Sequence, residues 1–179
     1  MKITILTGSA HPKGTTNTLA TAFAEGAQTA GHEVFRFNCA TAKVRPCIGC
    51  NQCGCGQREC VFKDDFVSAL VPRLLEADVV VLCAPTYYFA LSPQLATVVS
   101  RWYSVNPQMT GGKRSLLIAA CEGPAKDVMV GIEATYERIL NWMHWQDAGR
   151  IIAGECPTAA ALEDTDLVQR AHDLGFSMK

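Results

Sequence analysis

Short apolar runs alternate along the chain with longer segments whose apolar residues recur every three to four positions. The short runs predict five strands, at Lys2–Thr7, Glu33–Asn38, Asp78–Ala84, Ser115–Cys121 and Gln146–Ala153. The helical spacing predicts helices at Thr15–Ala30, Asp64–Ala77, the segment after Ser92-Pro93, Asp127–Met143 and Glu163–Leu174. This alternation predicts a parallel sheet with helices on both faces.

Local signals sharpen several of these boundaries. Gly31 and Gly175 follow helical segments as C-terminal stops. Ser92 is predicted to cap a helix whose first residue is Pro93. Pro72 lies inside a helical pattern and lacks the backbone N–H that a helix needs, so we expect a kink or a restart there.

Length and charge narrow the class of protein. A chain of 179 residues suits one domain over residues 1–179, with a cysteine-rich insertion at about residues 40–63. The net charge of −1 gives no reason to expect binding to nucleic acid or to an anionic membrane. No apolar run has the length of a membrane span, and no leader precedes the first strand, so we expect a cytoplasmic protein.

The loop Gly8–Thr18 joins the first strand to the first helix and is rich in hydrogen-bond donors. It holds four hydroxyls and the Asn17 amide at a helix N-terminus, where backbone N–H groups and the helix dipole favour an anion. The loop lacks the closing Gly-Lys-Ser/Thr of a Walker A motif and the GxGxxG spacing of dinucleotide folds. It therefore predicts a site for a terminal phosphomonoester. His11 either donates to that phosphate or points into solvent.

Two further loops are expected at the same edge of the sheet, since ligands of open α/β sheets bind beyond the carboxyl ends of the strands. Tyr87, Tyr88 and Phe89 follow the third strand, and three adjacent aromatics suit the wall of a site for a flat ring. Cys121 and Gly123 follow the fourth strand and are expected to flank the ring. No cationic neighbour of Cys121 is evident, so its thiol is predicted to be structural.

Five of the nine cysteines lie between Cys47 and Cys60. The spacing Cys47-x2-Cys50-x2-Cys53-x6-Cys60 wraps four thiols around one centre, with Cys55 as a spare that could replace Cys53. Thiolates select iron–sulfur clusters or zinc, and a compact run of this kind favours a 4Fe-4S cluster. Zinc and a thiol-rich loop without metal remain as alternatives.

Three segments, Ile3–Thr18, Cys47–Asp65 and Ala84–Arg101, resemble the flavodoxin-like NADPH-dependent FMN reductases, and within them the iron–sulfur flavoprotein branch. The resemblance implies a three-layer sandwich with a five-stranded parallel sheet in the order 2-1-3-4-5. It also implies that FMN is bound, with the phosphate on Ser9, His11, Thr16, Asn17 and Thr18. The ring would lie along Pro85, Thr86, Tyr87, Tyr88, Phe89, Cys121 and Gly123, and a cluster would be held by Cys47, Cys50, Cys53 and Cys60. Phe89 stands where relatives usually have glycine, and His11 where they more often have arginine.

Three functions follow from this resemblance and these motifs. With a cluster, the protein would pass electrons between a one-electron carrier and an acceptor through the cluster and FMN. Without one, it would be an NAD(P)H-dependent FMN or quinone reductase. A non-catalytic module that senses redox state or metal through its cysteines is the third. No catalytic acid, base or nucleophile is predicted. The electron donor or acceptor is a small molecule or a protein, and the family implies a homodimer or homotetramer.

Overall fold

A computed structural model describes residues 1–179. Its strands are β1 Lys2–Thr7, β2 Glu33–Asn38, β3 Val79–Tyr87, β4 Ala90–Leu91, β5 Arg114–Ala120 and β6 Gln146–Ala153. Its helices are α1 Thr15–Thr29, α2 Val71–Glu76, α3 Pro93–Ser100, α4 Asn106–Met109, α5 Ala125–Val128, α6 Val130–Met143 and α7 Leu167–Phe176. A π-helical turn at Phe66–Leu70 precedes α2, and 3₁₀ turns occupy Arg101–Ser104 and Ala159–Leu162.

Five strands form a parallel sheet in the order β2-β1-β3-β5-β6. The central strand β3 is apolar from Val79 to Ala84 and wholly buried there, because helices cover both of its faces. The register pairs Thr7 with Cys83 and Pro85 with Ala120, so the carboxyl ends of the three central strands lie side by side. This alignment brings the loops after β1, β3 and β5 together.

Two apolar cores lie on opposite faces of the sheet. One contains side chains of α1 and α7, such as Phe23 and Ala171, packed on Ile5 and Ile118. The other contains side chains of α2, α3 and α6, such as Leu74, Leu95 and Tyr136, packed on the alternate strand positions. The alternation of strand side chains between the two cores is the expected consequence of pleating in a doubly covered sheet. The predicted three-layer flavodoxin-like fold is confirmed.

The structure adds a sixth strand to the five that the pattern predicts. Thr86 pairs with Leu91 and Tyr87 with Ala90, so β3 continues past the sheet and folds back as a two-residue hairpin with β4. The pattern gives no sign of it, because a two-residue strand has no periodicity.

Three helical predictions need correction. The segment Asp127–Met143 is two helices, α5 and α6, which break at Met129; the buried Met129 Sδ accepts the Thr86 hydroxyl at 3.1 Å. The last helix starts at Leu167 rather than Glu163. It also runs past Gly175, where a methyl group would overlap the backbone carbonyl of α1, so that glycine serves helix packing. The restart at Pro72 is confirmed, as the π turn gives way to α2 there.

Residues 39–64, which include the cysteine-rich insertion, contain no helix or strand. The N–H of Lys43 donates to the Asp65 carboxylate at 2.7 Å and so links the start of this segment to the residue after its end, and the N–H of Cys47 donates to the Ser100 hydroxyl at 3.1 Å. Elsewhere in the fold, none of the helices has both the length and the apolar character needed to cross a membrane.

Candidate functional site

A cavity of about 820 Å³ opens at the carboxyl edge of the sheet. Its walls come from the loops after β1, β3, β5 and β6, and its volume lies in the usual range of small-molecule sites. The first of these loops places Ser9, His11 and Thr16 on the wall, while the second contributes Pro85, Thr86 and Tyr87. The edge of the sheet that the sequence predicts for a site is therefore the edge that holds this cavity.

The N-terminus of α1 is left without hydrogen-bond partners at this wall. Gly14 is the N-cap residue and has no side chain, so no side chain caps the helix, and no acidic residue lies in the first turn. The N–H groups of Thr15, Thr16 and Asn17 have no backbone acceptor. Buried N–H groups are rarely left unpaired. Three of them at the positive end of a 15-residue helix favour an anionic ligand.

Only two of the four hydroxyls in the loop are free to serve a ligand. Thr15 donates to the carbonyl of Cys156 at 3.0 Å, and Thr18 donates to the carbonyl of Gly14 at 3.2 Å. The Ser9 oxygen accepts the N–H of His11 at 3.2 Å and keeps its own proton available. Thr16 makes no such side-chain bond and lines the cavity. Ser9 and Thr16 are thus the hydroxyl donors that face the ligand space.

The Asn17 side chain stabilises the loop after β1 by hydrogen bonds on the side away from the cavity. Its amide Nδ2 donates to the carbonyl of His11 at 2.8 Å, and its Oδ1 accepts from Arg36 at 2.6 Å. Arg36, on β2, also donates to the Asn17 carbonyl at 3.3 Å and to the Thr21 hydroxyl at 2.9 Å. Neither Asn17 nor Thr18 lines the cavity, although the resemblance assigns both to the phosphate. The Asn17 side chain instead fixes the carbonyl around which the loop turns.

The three aromatics after β3 separate in space. Tyr87 lines the main cavity, whereas Tyr88 and Phe89 form the tip of the β3–β4 hairpin and are 98% and 58% exposed. Both tip residues have positive φ, 47° and 65°, as a type I′ turn requires. Bulky side chains rarely adopt that backbone conformation, so the turn is strained. Only Tyr87 forms a wall of the main cavity.

A second opening of about 450 Å³ adjoins the first and shares Thr86, Cys121 and Glu122 with it. Tyr88, Phe89 and Gly123 lie on this second opening rather than on the main cavity. The Cys121 thiol donates to the carbonyl of Gly123 at 3.2 Å, and burial raises its pKa. Cys121 is therefore a neutral, hydrogen-bonded thiol beside the ligand space.

Several residues of the cavity wall were not predicted from the sequence. Lys13 is a cation on the wall that the loop after β1 forms, and Glu122 lines both openings. The segment Cys156–Ala159, after β6, closes the remaining side. The rule that selected the loops after three strands applies equally to the loop after β6, so its position at the same sheet edge was the available signal.

The cysteine-rich insertion and the turn at Arg101–Ser104 line a separate, smaller cavity. Cys47, Cys50, Cys53 and Cys60 all line it, while Cys55 lies outside, near Tyr103. No three Cys, His, Asp or Glu side chains converge closely enough to hold a single metal ion. The space between the thiols is about 30 Å³, the volume of one water molecule, so the segment must open to take a larger group. Exposed Cys47 and Cys50, in a loop without regular structure, leave room for that movement.

Arg101, which lines this cysteine cavity, forms a buried ion pair with Asp64. Arg101 is 1% exposed and donates to both carboxylate oxygens of Asp64, at 2.8 and 3.3 Å. It also donates to the carbonyl of Arg45 at 2.8 Å and to the sulfur of Cys60 at 3.2 Å. Burial alone would raise the pKa of Asp64, but the hydrogen bonds and charge of Arg101 bring it below its usual value.

Comparison with known proteins agrees with this architecture. The sequence profile of the NADPH-dependent FMN reductase family matches residues 1–152. An iron–sulfur flavoprotein of Methanocaldococcus jannaschii is 32% identical over 101 residues, which cover 56% of this chain and 51% of the relative. An iron–sulfur flavoprotein of Methanosarcina thermophila is 27% identical over 155 residues, covering 87% and 78%. The chain spans about half the length of the first of these relatives.

Solved structures share the fold at low sequence identity. The Trp repressor binding protein of Bacillus subtilis superimposes with a TM-score of 0.71 at 19% identity, covering 97% of this chain and 99% of that one. An FMN-dependent NADH-azoreductase of Bacillus anthracis, solved with FMN, gives a TM-score of 0.65 at 16% identity and covers 98% and 96%. With the profile match over most of its length, the chain belongs to the NADPH-dependent FMN reductase family.

Proposed function

We propose that the protein is an iron–sulfur flavoprotein that transfers electrons between a one-electron carrier and an acceptor by means of FMN and a cysteine-held cluster. One observation carries the flavin part of the proposal. Thr15 and Thr16, two of the three residues with unpaired N–H groups at the start of α1, line a cavity of about 820 Å³, and Tyr87 lies on its wall. Such a site suits a phosphate joined to a flat ring.

The residues present fit FMN. The N–H groups of Thr15–Asn17 and the Ser9 and Thr16 hydroxyls would hold the phosphate, with Lys13 as a nearby cation. Tyr87 and the backbone of Pro85-Thr86 would orient the ring and exclude water from one side of it. When bound, the flavin supplies both one-electron and two-electron chemistry. No side chain is assigned as an acid or base.

The second opening is where a small acceptor or NAD(P)H would enter. It adjoins the ring end of the main cavity, and the exposed Tyr88 and Phe89 rings offer apolar faces to a flat molecule. Glu122 lines both openings, and its carboxylate would favour a neutral acceptor there over the anionic NAD(P)H.

The cysteine donor set has the chemistry of an iron–sulfur cluster site, and the segment would open to admit the cluster. Four thiols share one cavity, the N–H of Gly49 approaches the Cys47 sulfur at 3.5 Å, and Arg101 supplies a buried positive charge beside Cys60. A cluster with four thiolates is an anion, which a buried guanidinium favours. The same geometry supports Cys53 rather than Cys55 as the third ligand, because only Cys53 lines the cavity.

We further propose that the protein lies in a reducing cytoplasm and that identical chains associate. All nine cysteines are free, as suits a reducing compartment.

An apolar groove of about 570 Å³ lies next to the cysteine segment, with Trp142 72% exposed and Tyr103 46% exposed. Exposed apolar surfaces of this kind are typical of contacts between protein chains. Light scattering at micromolar concentration should therefore give the mass of a dimer or tetramer, and a monomer would contradict this part.

Purification without oxygen, followed by flavin, iron and sulfide analysis, tests the function. The unaltered chain should contain FMN, and iron and sulfide near four each per chain. Cys47→Ser should lose the iron and keep the FMN, whereas Cys55→Ser should keep both, since Cys55 lies outside the cavity. FMN without iron in the unaltered chain would overturn the cluster and leave an NAD(P)H-dependent reductase. Failure to bind added FMN would overturn the whole proposal.

A further inference from the structure

Arg101 is the largest side chain that the protein buries completely. Charged residues are almost never fully buried unless they are paired, and removing an ion from water costs several kcal/mol. The only carboxylate that contacts the guanidinium is Asp64. A buried ion pair of this kind is weak evidence for stability, because apolar residues of the same volume often do as well. Its position under the cysteine cavity therefore calls for another explanation.

The guanidinium is held rigidly where it meets the sulfur. Its carbon lies 5.0 Å from the centre of the Phe62 ring and 4.8 Å from that of Phe66, and both rings exclude water from it. Asp64 and the carbonyl of Arg45 fix its plane. One nitrogen then donates to Cys60 at 3.2 Å, while Nε, also buried, has no partner at all.

Hydrogen bonds to sulfur and nearby charge are two of the properties that set the reduction potential of a cluster. A fixed cation that donates to a ligand sulfur stabilises the form with one more electron. Because water is excluded, the effect of that charge is larger than at the surface. The guanidinium is the only buried cation beside the four thiols.

We infer that Arg101 is a positioning residue that raises the reduction potential of a cluster held by Cys47, Cys50, Cys53 and Cys60, through its hydrogen bond to Cys60 and its buried charge. The inference rests on the proposed function. Lysine in place of Arg101 keeps the charge but cannot bond Asp64 and Cys60 together, since it lacks the planar fork. Arg58 provides a matched control, because it lies in the same segment with an exposed side chain.

The experiment is a redox titration of the anaerobically purified chain, followed by visible absorption and by the electron paramagnetic resonance of the reduced cluster. Arg101→Lys should bind iron and sulfide as the unaltered chain does. Its equilibrium between reduced and oxidised cluster should shift about tenfold towards the oxidised form, which is about 59 mV for one electron. Arg58→Lys should leave the potential unchanged.

A second variant guards against misfolding of the first. Arg101→Gln combined with Asp64→Asn removes both charges at once, which spares the fold an unpaired buried ion. Because the two lost charges oppose each other, the lost hydrogen bond to Cys60 remains as the main effect, so the potential should fall by about as much as in Arg101→Lys. A cluster whose potential is the same in both variants and in the unaltered chain would overturn the inference alone. Absence of iron and sulfide from the unaltered chain would overturn it together with the proposed cluster.

Discussion

Replacing Asn17 by aspartate tests the proposed phosphate site in the loop after β1. The two side chains have the same shape, and the new carboxylate would still accept the hydrogen bond from Arg36. It would, however, set a carboxylate oxygen against the carbonyl of His11, where Nδ2 now donates at 2.8 Å. The His11 carbonyl keeps its bond from the N–H of Gly14 at 2.9 Å, so the loop should lose one hydrogen bond without unfolding.

The magnitude follows from two effects. One neutral hydrogen bond is worth about 1 kcal/mol. A carboxylate placed behind the site of a phosphate adds repulsion of about 1–2 kcal/mol at the partly solvated edge of a protein. Together these effects of about 2–3 kcal/mol raise the dissociation constant for FMN roughly 30- to 140-fold, since about 1.4 kcal/mol corresponds to a factor of ten. The new ion pair with Arg36 should keep the melting temperature of the FMN-free chain close to that of the unaltered protein.

Quenching of flavin fluorescence measures the dissociation constants of both FMN and riboflavin. Riboflavin has the ring but no phosphate, so its affinity should change much less than that of FMN. Asn141→Asp adds the same charge on the exposed side of α6 and should leave both affinities unchanged. Equal losses for FMN and riboflavin, or no loss for FMN, would refute the assignment of a phosphate to this loop.

Three further predictions concern stability. Changing Tyr88-Phe89 to Asn-Gly relieves two positive-φ strains, so the unfolding free energy should rise by about 2 kcal/mol and the melting temperature by about 4–8 °C; an unchanged melting temperature would contradict the strained turn. Gly175→Val puts a side chain into the backbone of α1, which should cost about 2–3 kcal/mol by denaturant unfolding, and a neutral result would show that the two helices can separate. Because its partner Arg101 holds the pKa of Asp64 below 3.8, the stability from this pair is present above about pH 4 and is lost as pH falls through the lowered value. Asp64→Asn should lower the free energy of unfolding by about 3 kcal/mol at pH 7 and reduce its further loss below about pH 4. An unchanged loss of stability at acid pH would argue against the pair.

Local sequence patterns were enough to predict much of the fold and of the candidate site. The five long strands, the restart at Pro72 and the donor-rich loop after β1 could be identified, because each depends on neighbours within a few residues. The cysteine spacing likewise singled out four thiols that the fold places around one cavity.

The sequence by itself determined the layer order, the edge of the sheet that holds the cavity and the residue types available there. Only the tertiary structure decided which donors are free, because Thr15 and Thr18 use their hydroxyls on carbonyls that folding brings close. It also turned Asn17 towards His11, moved Tyr88 and Phe89 off the cavity wall and buried Arg101 beneath Cys60. These outcomes depend on contacts between residues as far apart as 141 positions in the chain. The sequence determines the chemistry of each side chain, but the packing of the whole chain determines its hydrogen-bond partner.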